Sequence, residues 1–325
     1  MHLSDSAAPA RTAVVAPGQD ITVRVPATSA NLGPGFDSLG LAVGLYDSIR
    51  VRTSAEPGTS VTVSGEGAAT LPTDDSHLVV RTIRHTVAAA GYTLAGLSLA
   101  AENVIPHGRG LGSSASAIVS GVLAGNALLP PEHRLDAAAL LDLCSRLEGH
   151  PDNVAPALAG GLAVSWEEDG TYRSVTIDVH PDVIPVVAVP ANELSTESAR
   201  GLLPASVPHR EAAANSGRAA LLVHALTADP SLLAPGTRDS LHQEYRAPAM
   251  LPSAALMRAL RSAGLAAVIS GAGPTVMTLA NGEDQAQLAE RLIADHLHSA
   301  GNPEFWRVLR LGVDRDGARV EEHQR

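Results

Sequence analysis

Residues 106–116, Pro106-His107-Gly108-Arg109-Gly110-Leu111-Gly112-Ser113-Ser114-Ala115-Ser116, have the residue types needed to hold a polyanion. Gly108, Gly110 and Gly112 permit a tight turn with no Cβ in the way, so successive backbone N–H groups can converge on one phosphate cluster. Ser113 and Ser114 are good N-cap residues, and the apolar run 115–129 reads as a helix whose positive dipole end faces the loop. The same glycines also fit an ordinary structural turn, or a dinucleotide turn, since Gly110, Gly112 and Ala115 match G-x-G-x-x-A after the strand-like run 97–102. Against the dinucleotide turn, the acid at the required distance, Glu132, follows Pro130-Pro131 instead of ending a strand. A Walker loop requires a lysine, and all 23 basic residues of this chain are arginine. Schiff-base chemistry and a lysine base are therefore excluded, and phosphate charge must be met by backbone N–H, arginine or metal.

A second cluster, Glu148-Gly149-His150-Pro151-Asp152-Asn153, crowds four polar side chains into six residues where Gly149 and Pro151 stop a helix over 135–148. Taken singly, His150 reads as a surface imidazole and Glu148 as a solvated carboxylate. Together, beside the apolar run 155–164, they read as part of a site. Residues 26–40 hold too much Gly and Pro for a helix yet carry apolar residues, which suggests a packed functional loop. Residues 266–279 read as strand, tight glycine turn and strand, with Ser270-Gly271-Ala272-Gly273-Pro274-Thr275 at the turn.

The elements that must position these groups follow from periodicity. Ile21, Val23 and Val25 alternate with Thr22 and Arg24 as a strand over 20–26, and 41–52, 60–64 and 96–102 read as further strands, with a helix over 75–90. Strands at 175–178 and 183–189 open a second domain. Helices start at Thr196, with Arg200 in the first turn, and cover 213–226; Arg246 begins a helical region reaching residue 260. A helix over 285–300 and a strand over 306–313 close the chain. Strands and helices without a strict βαβ rhythm indicate an α+β fold with mixed and antiparallel sheets covered by helices.

At 325 residues two domains are expected, because single cores stop growing near ~250–300 residues. A net charge of -11 without a basic run argues against nucleic acid as a partner. There is no apolar stretch of ~18 residues to suggest a membrane partner, and no basic and apolar block to suggest a signal peptide. The single Cys144 lies among leucines and reads as a buried inert thiol, which fits a cytoplasmic location.

Residues 26–40, 106–116 and 270–275 together resemble the three signature motifs of the GHMP small-molecule kinases, in order and at similar spacing. The run from Thr28 to Asp37 is most similar to the members that phosphorylate L-homoserine, and His150-Pro151-Asp152-Asn153 and Ala199-Arg200 add to the match. The resemblance covers about residues 21–279. It implies a two-domain GHMP kinase fold with a ferredoxin-like C-terminal domain: an ATP-binding domain over 20–178 and a domain over 179–325 that contributes substrate-binding residues; ahead of them, residues 1–19 read as a disordered leader.

The resemblance also implies the site. ATP would be held by residues 106–116, that is Pro106, His107, Gly108, Arg109, Gly110, Leu111, Gly112, Ser113, Ser114, Ala115 and Ser116. Mg²⁺ would be held by Ser114 and Glu148, hard oxygen donors suited to that ion. Arg200 and Arg246, with Thr196 near, would take a substrate carboxylate, and Asn31 and Asp37 an ammonium group. Gly271 would line the substrate site, and Asn153 and His150 would lie near the hydroxyl. Asp152 matches a catalytic aspartate position; it either takes the hydroxyl proton, or Asn153 orients the hydroxyl and the proton leaves late. Two substrate-facing arginines favour an amino acid over a sugar as acceptor; the alternative keeps the fold and changes the acceptor to mevalonate, a sugar or shikimate. A sensor that binds ATP and an amino acid without catalysis is the reading from another class. Further expectations are a homodimer, inhibition by threonine, and an adenine seat at residues 73–78.

Overall fold

The computed structural model describes residues 13–301 and 303–323. The chain runs through β1 (Ala13–Val14), β2 (Asp20–Ala30), β3 (Leu39–Ser54), β4 (Gly58–Gly65), α1 (Leu78–Ala89), β5 (Tyr92–Thr93) and β6 (Gly96–Asn103) to the glycine-rich loop. Helices α2 (Ser113–Ala127), α3 (Ala137–Glu148) and α4 (Val154–Ala159) follow, then β7 (Leu162–Glu168) and β8 (Thr171–Ile177). The second half holds β9 (Val183–Pro190), α5 (Thr196–Arg200), α6 (His209–Thr227), α7 (Leu233–Gly236), α8 (Gln243–Arg246), α9 (Leu251–Ser262), β10 (Ala266–Ile269), β11 (Val276–Asn281), α10 (Gly282–Ser299), β12 (Trp306–Arg310) and β13 (Arg319–Glu322).

The first sheet has the order β13-β2-β3-β6-β4, with β7 joined to β3 and β8 to β7. Ile21, Val23 and Val25 point to one face of it, as their alternation requires, and pack with Val79, Ile83, Val119 and Val122 of α1 and α2. The pairing of β2 with β3 shifts at Pro26/Ala27, where proline lacks an N–H to donate, so the strand bends and continues to Ala30. The first loop is correspondingly short, from Asn31 to Ser38. The second sheet, β10-β11-β9-β12, is antiparallel throughout, and its βαββαβ element order gives the expected ferredoxin-like arrangement. Between the two sheets lies one apolar cluster, in which Leu32, Leu41 and Leu111 from the first half meet Val187, Leu222 and Met277 from the second.

Several boundaries differ from expectation. β8 belongs to the first sheet instead of opening the second domain. The closing strand β13 returns to pair with β2, so a division at residue 178 does not separate the sheets. Of the expected leader, residues 1–12 lie outside the described residues. The part from Ala13 onward is ordered: β1 pairs with β5, and the Gln19 N–H donates to Thr53 Oγ1 at 3.0 Å. α1 starts at Leu78, not at residue 75, because the buried His77 imidazole caps it by accepting from the Val79 N–H.

Candidate functional site

All three loop glycines adopt positive φ, 63° at Gly108, 76° at Gly110 and 72° at Gly112, a region that other residues enter at a penalty. Space is short as well. A Cβ on Gly110 would overlap the Ser270 carbonyl oxygen, and one on Gly112 would overlap the Thr28 hydroxyl. Backbone bonds complete the junction: Thr28 N–H donates to Leu111 O at 3.1 Å, Gly271 N–H to Ala30 O at 3.1 Å and Thr275 N–H to Arg109 O at 3.3 Å. The three distant stretches therefore meet around one point.

Gly112, not Ser113 or Ser114, is the N-cap of α2; the two serines occupy its first turn. Their N–H groups have no acceptor within the helix and lie at its positive end. Among the other expected nucleotide contacts, the side chains of Pro106, Leu111 and Ala115 are buried, so only their backbone can serve a ligand. Ser116 Oγ donates to the buried carboxylate of Asp47 at 3.2 Å. Asp47 also accepts the N–H groups of Val104 and Ile105 at 2.7 and 2.9 Å, tying the entrance of the loop to its exit. Arg109 does not face the cavity; its guanidinium is spent on Pro190 O, Ala191 O and His107 O.

α3 ends at Glu148 because Gly149, at φ 94°, takes the left-handed cap position. The following residues turn back toward the loop. Ser114 Oγ donates to Glu148 Oε2 at 2.8 Å, and Thr28 Oγ1 donates to Asn153 Oδ1 at 2.9 Å. Asp152 is 2% exposed and its Oδ1 lies 2.6 Å from His150 Nδ1. Burial pushes the Glu148 carboxyl above its ordinary value, and the Asp152 charge adds to this, while the Ser114 hydrogen bond opposes it. For His150, burial opposes the charged ring, yet the Asp152 hydrogen bond and the Asp152 and Glu148 charges outweigh it and raise its pKa.

At the far wall, Arg246 is 1% exposed on α8 with no carboxylate in ion-pair range among the described residues. Its donors reach only Ala199 O at 3.3 Å, Gly271 O at 3.4 Å and His242 Nδ1 at 3.2 Å. Burial lowers its pKa, and Arg200 lowers it further. Phe36 lies between the two arginines, its ring centroid 5.3 Å from the Arg246 and 5.7 Å from the Arg200 guanidinium.

Asp37 and Arg200, expected at opposite ends of a zwitterion, are paired with one another at 2.8 and 3.1 Å. Asn31 holds the first loop in shape: its Nδ2 donates to Gly271 O at 3.0 Å and its Oδ1 accepts the Asp37 N–H at 3.0 Å.

One cavity of ≈ 110 Å³ brings together Asn31, Asp37, Ser114, Glu148, His150, Asp152, Asn153, Thr196, Arg200, Arg246 and Gly271. A second, of ≈ 170 Å³, adjoins it through Ser113 and Ser114 and is lined by Asp47, His77, Leu78, His107, Ser116 and Ser120. Of the loop 73–78, only His77 and Leu78 reach it. His77 Nε2 and Ser120 Oγ are buried there without a hydrogen-bond partner. Since His77 Nδ1 accepts from Val79, its neutral ring carries the proton on Nε2.

Sequence reading missed Asp47, His242, Thr28 and Ser270. Thr28 and Ser270 stand inside the motifs, so their position was a signal; Asp47 lies within a strand and His242 within a run of polar and charged residues, outside any motif, and neither carried one. Among the described residues no group of three or more His, Cys, Asp or Glu could hold a metal, and no helix is long and apolar enough to cross a membrane.

Residues 77–161 match the GHMP kinases N terminal domain, and residues 216–298 the GHMP kinases C terminal domain. The chain is 54% identical over 301 residues to a homoserine kinase of Streptomyces coelicolor, covering 92% of this chain and 94% of that one. It is 50% identical over 303 residues to a homoserine kinase of Leifsonia xyli, covering 93% and 92%. The crystal structure of a homoserine kinase from Cytophaga hutchinsonii superposes with a TM-score of 0.82 at 28% identity, covering 93% and 97%. Mevalonate kinase of L. major in complex with R-mevalonate shares the fold, with a TM-score of 0.65 at 17% identity over 93% and 97%. The glycine-rich cradle, the stretches 26–40 and 270–275 that close on it and these similarities agree: the chain belongs to the GHMP kinase family, among its homoserine kinases.

Proposed function

We propose that the protein transfers the γ-phosphoryl group of ATP to the side-chain hydroxyl of L-homoserine, giving O-phospho-L-homoserine and ADP in threonine biosynthesis. The observation that carries the acceptor assignment is Arg246, a fully buried guanidinium with no carboxylate partner in the cavity wall. A buried unpaired charge is costly, and a substrate carboxylate would offset it through a charge-assisted bidentate contact. Arg200 would add to that contact, and Asp37 would take the ammonium group while keeping its bond to Arg200. A sugar offers no carboxylate, and mevalonate and shikimate, which do, offer no ammonium group for Asp37.

Phosphoryl transfer passes through a loose transition state, so positioning and charge neutralisation do most of the work. The N–H groups of Gly108 to Ser114 and the α2 dipole would hold the β- and γ-phosphates, with the base in the cavity where the Nε2–H of His77 and the Ser120 hydroxyl lack partners. Ser114 and Glu148 suit Mg²⁺: a hydroxyl and a carboxylate 2.8 Å apart, the latter burdened by burial and the nearby Asp152 charge. When bound, the ion supplies charge neutralisation at the phosphate oxygens.

Asp152 has one oxygen fixed by His150, which leaves the other to accept the substrate hydroxyl proton. Asn153, held by Thr28, would orient the hydroxyl. Threonine presents the same zwitterionic head and would compete at this site. A homodimer and a cytoplasmic location, where ATP is supplied, complete the reading.

ADP release by the purified protein with ATP, Mg²⁺ and, in turn, L-homoserine, mevalonate, galactose and shikimate tests this. Selective turnover of homoserine is expected, and selective turnover of another alcohol would sink the assignment. Nucleotide binding without turnover of any acceptor would favour a sensor.

A further inference from the structure

Arg109 occupies the middle of the glycine-rich loop, where a phosphate contact would be the obvious role, yet four of its N–H donors are used elsewhere. Nε donates to Pro190 O at 3.0 Å, Nη2 to Ala191 O at 2.6 Å, and Nη1 to His107 O at 2.6 Å and Glu193 Oε1 at 3.3 Å. The side chain is only 16% exposed. Beside it, the Leu194 N–H donates to Gly108 O at 2.9 Å. Segment 190–194 is the lead from β9 into α5, and Leu194, Thr196 and Arg200 face the main cavity. Arg200 in turn holds Asp37 of the first loop. A single planar fork thus spans from the phosphate loop to the segment that presents the acceptor-side residues.

We infer that Arg109 is a positioning residue that couples nucleotide to acceptor: it pins segment 190–194 to the glycine-rich loop, so that each substrate strengthens the binding of the other. Ordering the loop around phosphate fixes the fork, the fork fixes the start of α5, and α5 sets Thr196 and Arg200 against the acceptor. By linkage the effect is reciprocal. The geometry demands arginine, because the acceptors spread around the fork cannot be met by the compact ammonium of a lysine.

This rests on the acceptor reading above, and the test separates the two. Calorimetry on the full chain gives the Kd of a non-hydrolysable ATP analogue and of L-homoserine, each alone and with the other saturating. In Arg109→Gln and Arg109→Lys the analogue alone should bind within about twofold of the unaltered protein, since no phosphate contact is lost. The acceptor should weaken by about tenfold or more in the presence of the analogue, the scale of one or two charged hydrogen bonds. The coupling factor should fall toward one in both variants. Weakened binding of the analogue alone, with acceptor binding intact, would make Arg109 a phosphate contact and overturn the inference. So would coupling retained in Arg109→Lys, which keeps the charge but not the fork. An unaltered protein that turns over some other alcohol but not homoserine would instead defeat the functional reading.

Discussion

Replacing Arg246 with methionine removes the guanidinium and keeps most of the side-chain volume. In the unbound protein the loss is small: the three hydrogen bonds it makes are 3.2 to 3.4 Å long, and a buried charge without a carboxylate disappears with them. Exchanging buried charge for well-packed apolar volume is neutral to stabilising by ~1–4 kcal/mol, so the melting temperature should hold or rise. In the complex the loss is large. Leaving a buried substrate carboxylate without its partner costs about 3–5 kcal/mol, which is about 100-fold to several thousand-fold in kcat/KM. The assay is coupled ADP release with L-homoserine and with 3-amino-1-propanol, which has the amine and hydroxyl but no carboxylate. The unaltered protein should prefer homoserine strongly, and Arg246→Met should nearly abolish that preference. A variant that keeps the full preference, or loses less than about threefold in kcat/KM, would refute the assignment of Arg246 to the carboxylate.

Asp152→Asn separates two fates of the hydroxyl proton: a fall in turnover of about 10²-fold or more supports a base, and near-normal turnover leaves only orientation by Asn153. The same variant should lower the pKa of His150, read by NMR of its ring proton, because burial is then opposed less. In the unaltered protein the raised pKa stabilises the fold fully below the ordinary 6.5, and that stability is lost as pH climbs through the raised value. Glu148→Gln should raise the Mg²⁺ concentration for half-maximal rate by on the order of tenfold with little change in acceptor KM; an unchanged requirement would remove Glu148 from the metal site. Gly112→Ala should weaken nucleotide binding by at least about tenfold, since it adds overlap with Thr28 to left-handed strain of about 1–2 kcal/mol. Gly91→Ala, at φ 82° with nothing within 4 Å of the new carbon, carries the strain alone and should leave nucleotide affinity unchanged.

The glycine-rich loop was legible because its demands are local: positive φ and a helix start are written in residue types, the first found at Gly108, Gly110 and Gly112 and the second directly after Gly112. The ferredoxin-like second sheet followed from family resemblance more than from pattern, since β9 is buried along nearly its whole length and does not alternate. What the sequence could not carry is which side chains meet which. Arg109 sits in the middle of the glycine-rich loop but turns to Pro190 and Ala191, and only the position of β9 decides that. Asp37 and Arg200 are 163 residues apart, so their pairing depends on how α5 docks over the first loop. The helix cap at Gly112 was masked by two serines with better capping propensity, because the close approach of Thr28 leaves room only for glycine. The return of β13 to β2 depends on long-range pairing and had no local signal.

The central claim is that this cavity places the homoserine hydroxyl at the γ-phosphate of ATP. Its most direct test is ³¹P NMR of a reaction containing the protein, ATP, Mg²⁺ and L-homoserine. A phosphomonoester on the side-chain oxygen, formed in step with ADP, is the expected result. ADP with only inorganic phosphate, or no consumption of ATP with L-homoserine while ATP is consumed and a phosphomonoester forms when another alcohol takes its place, would contradict it.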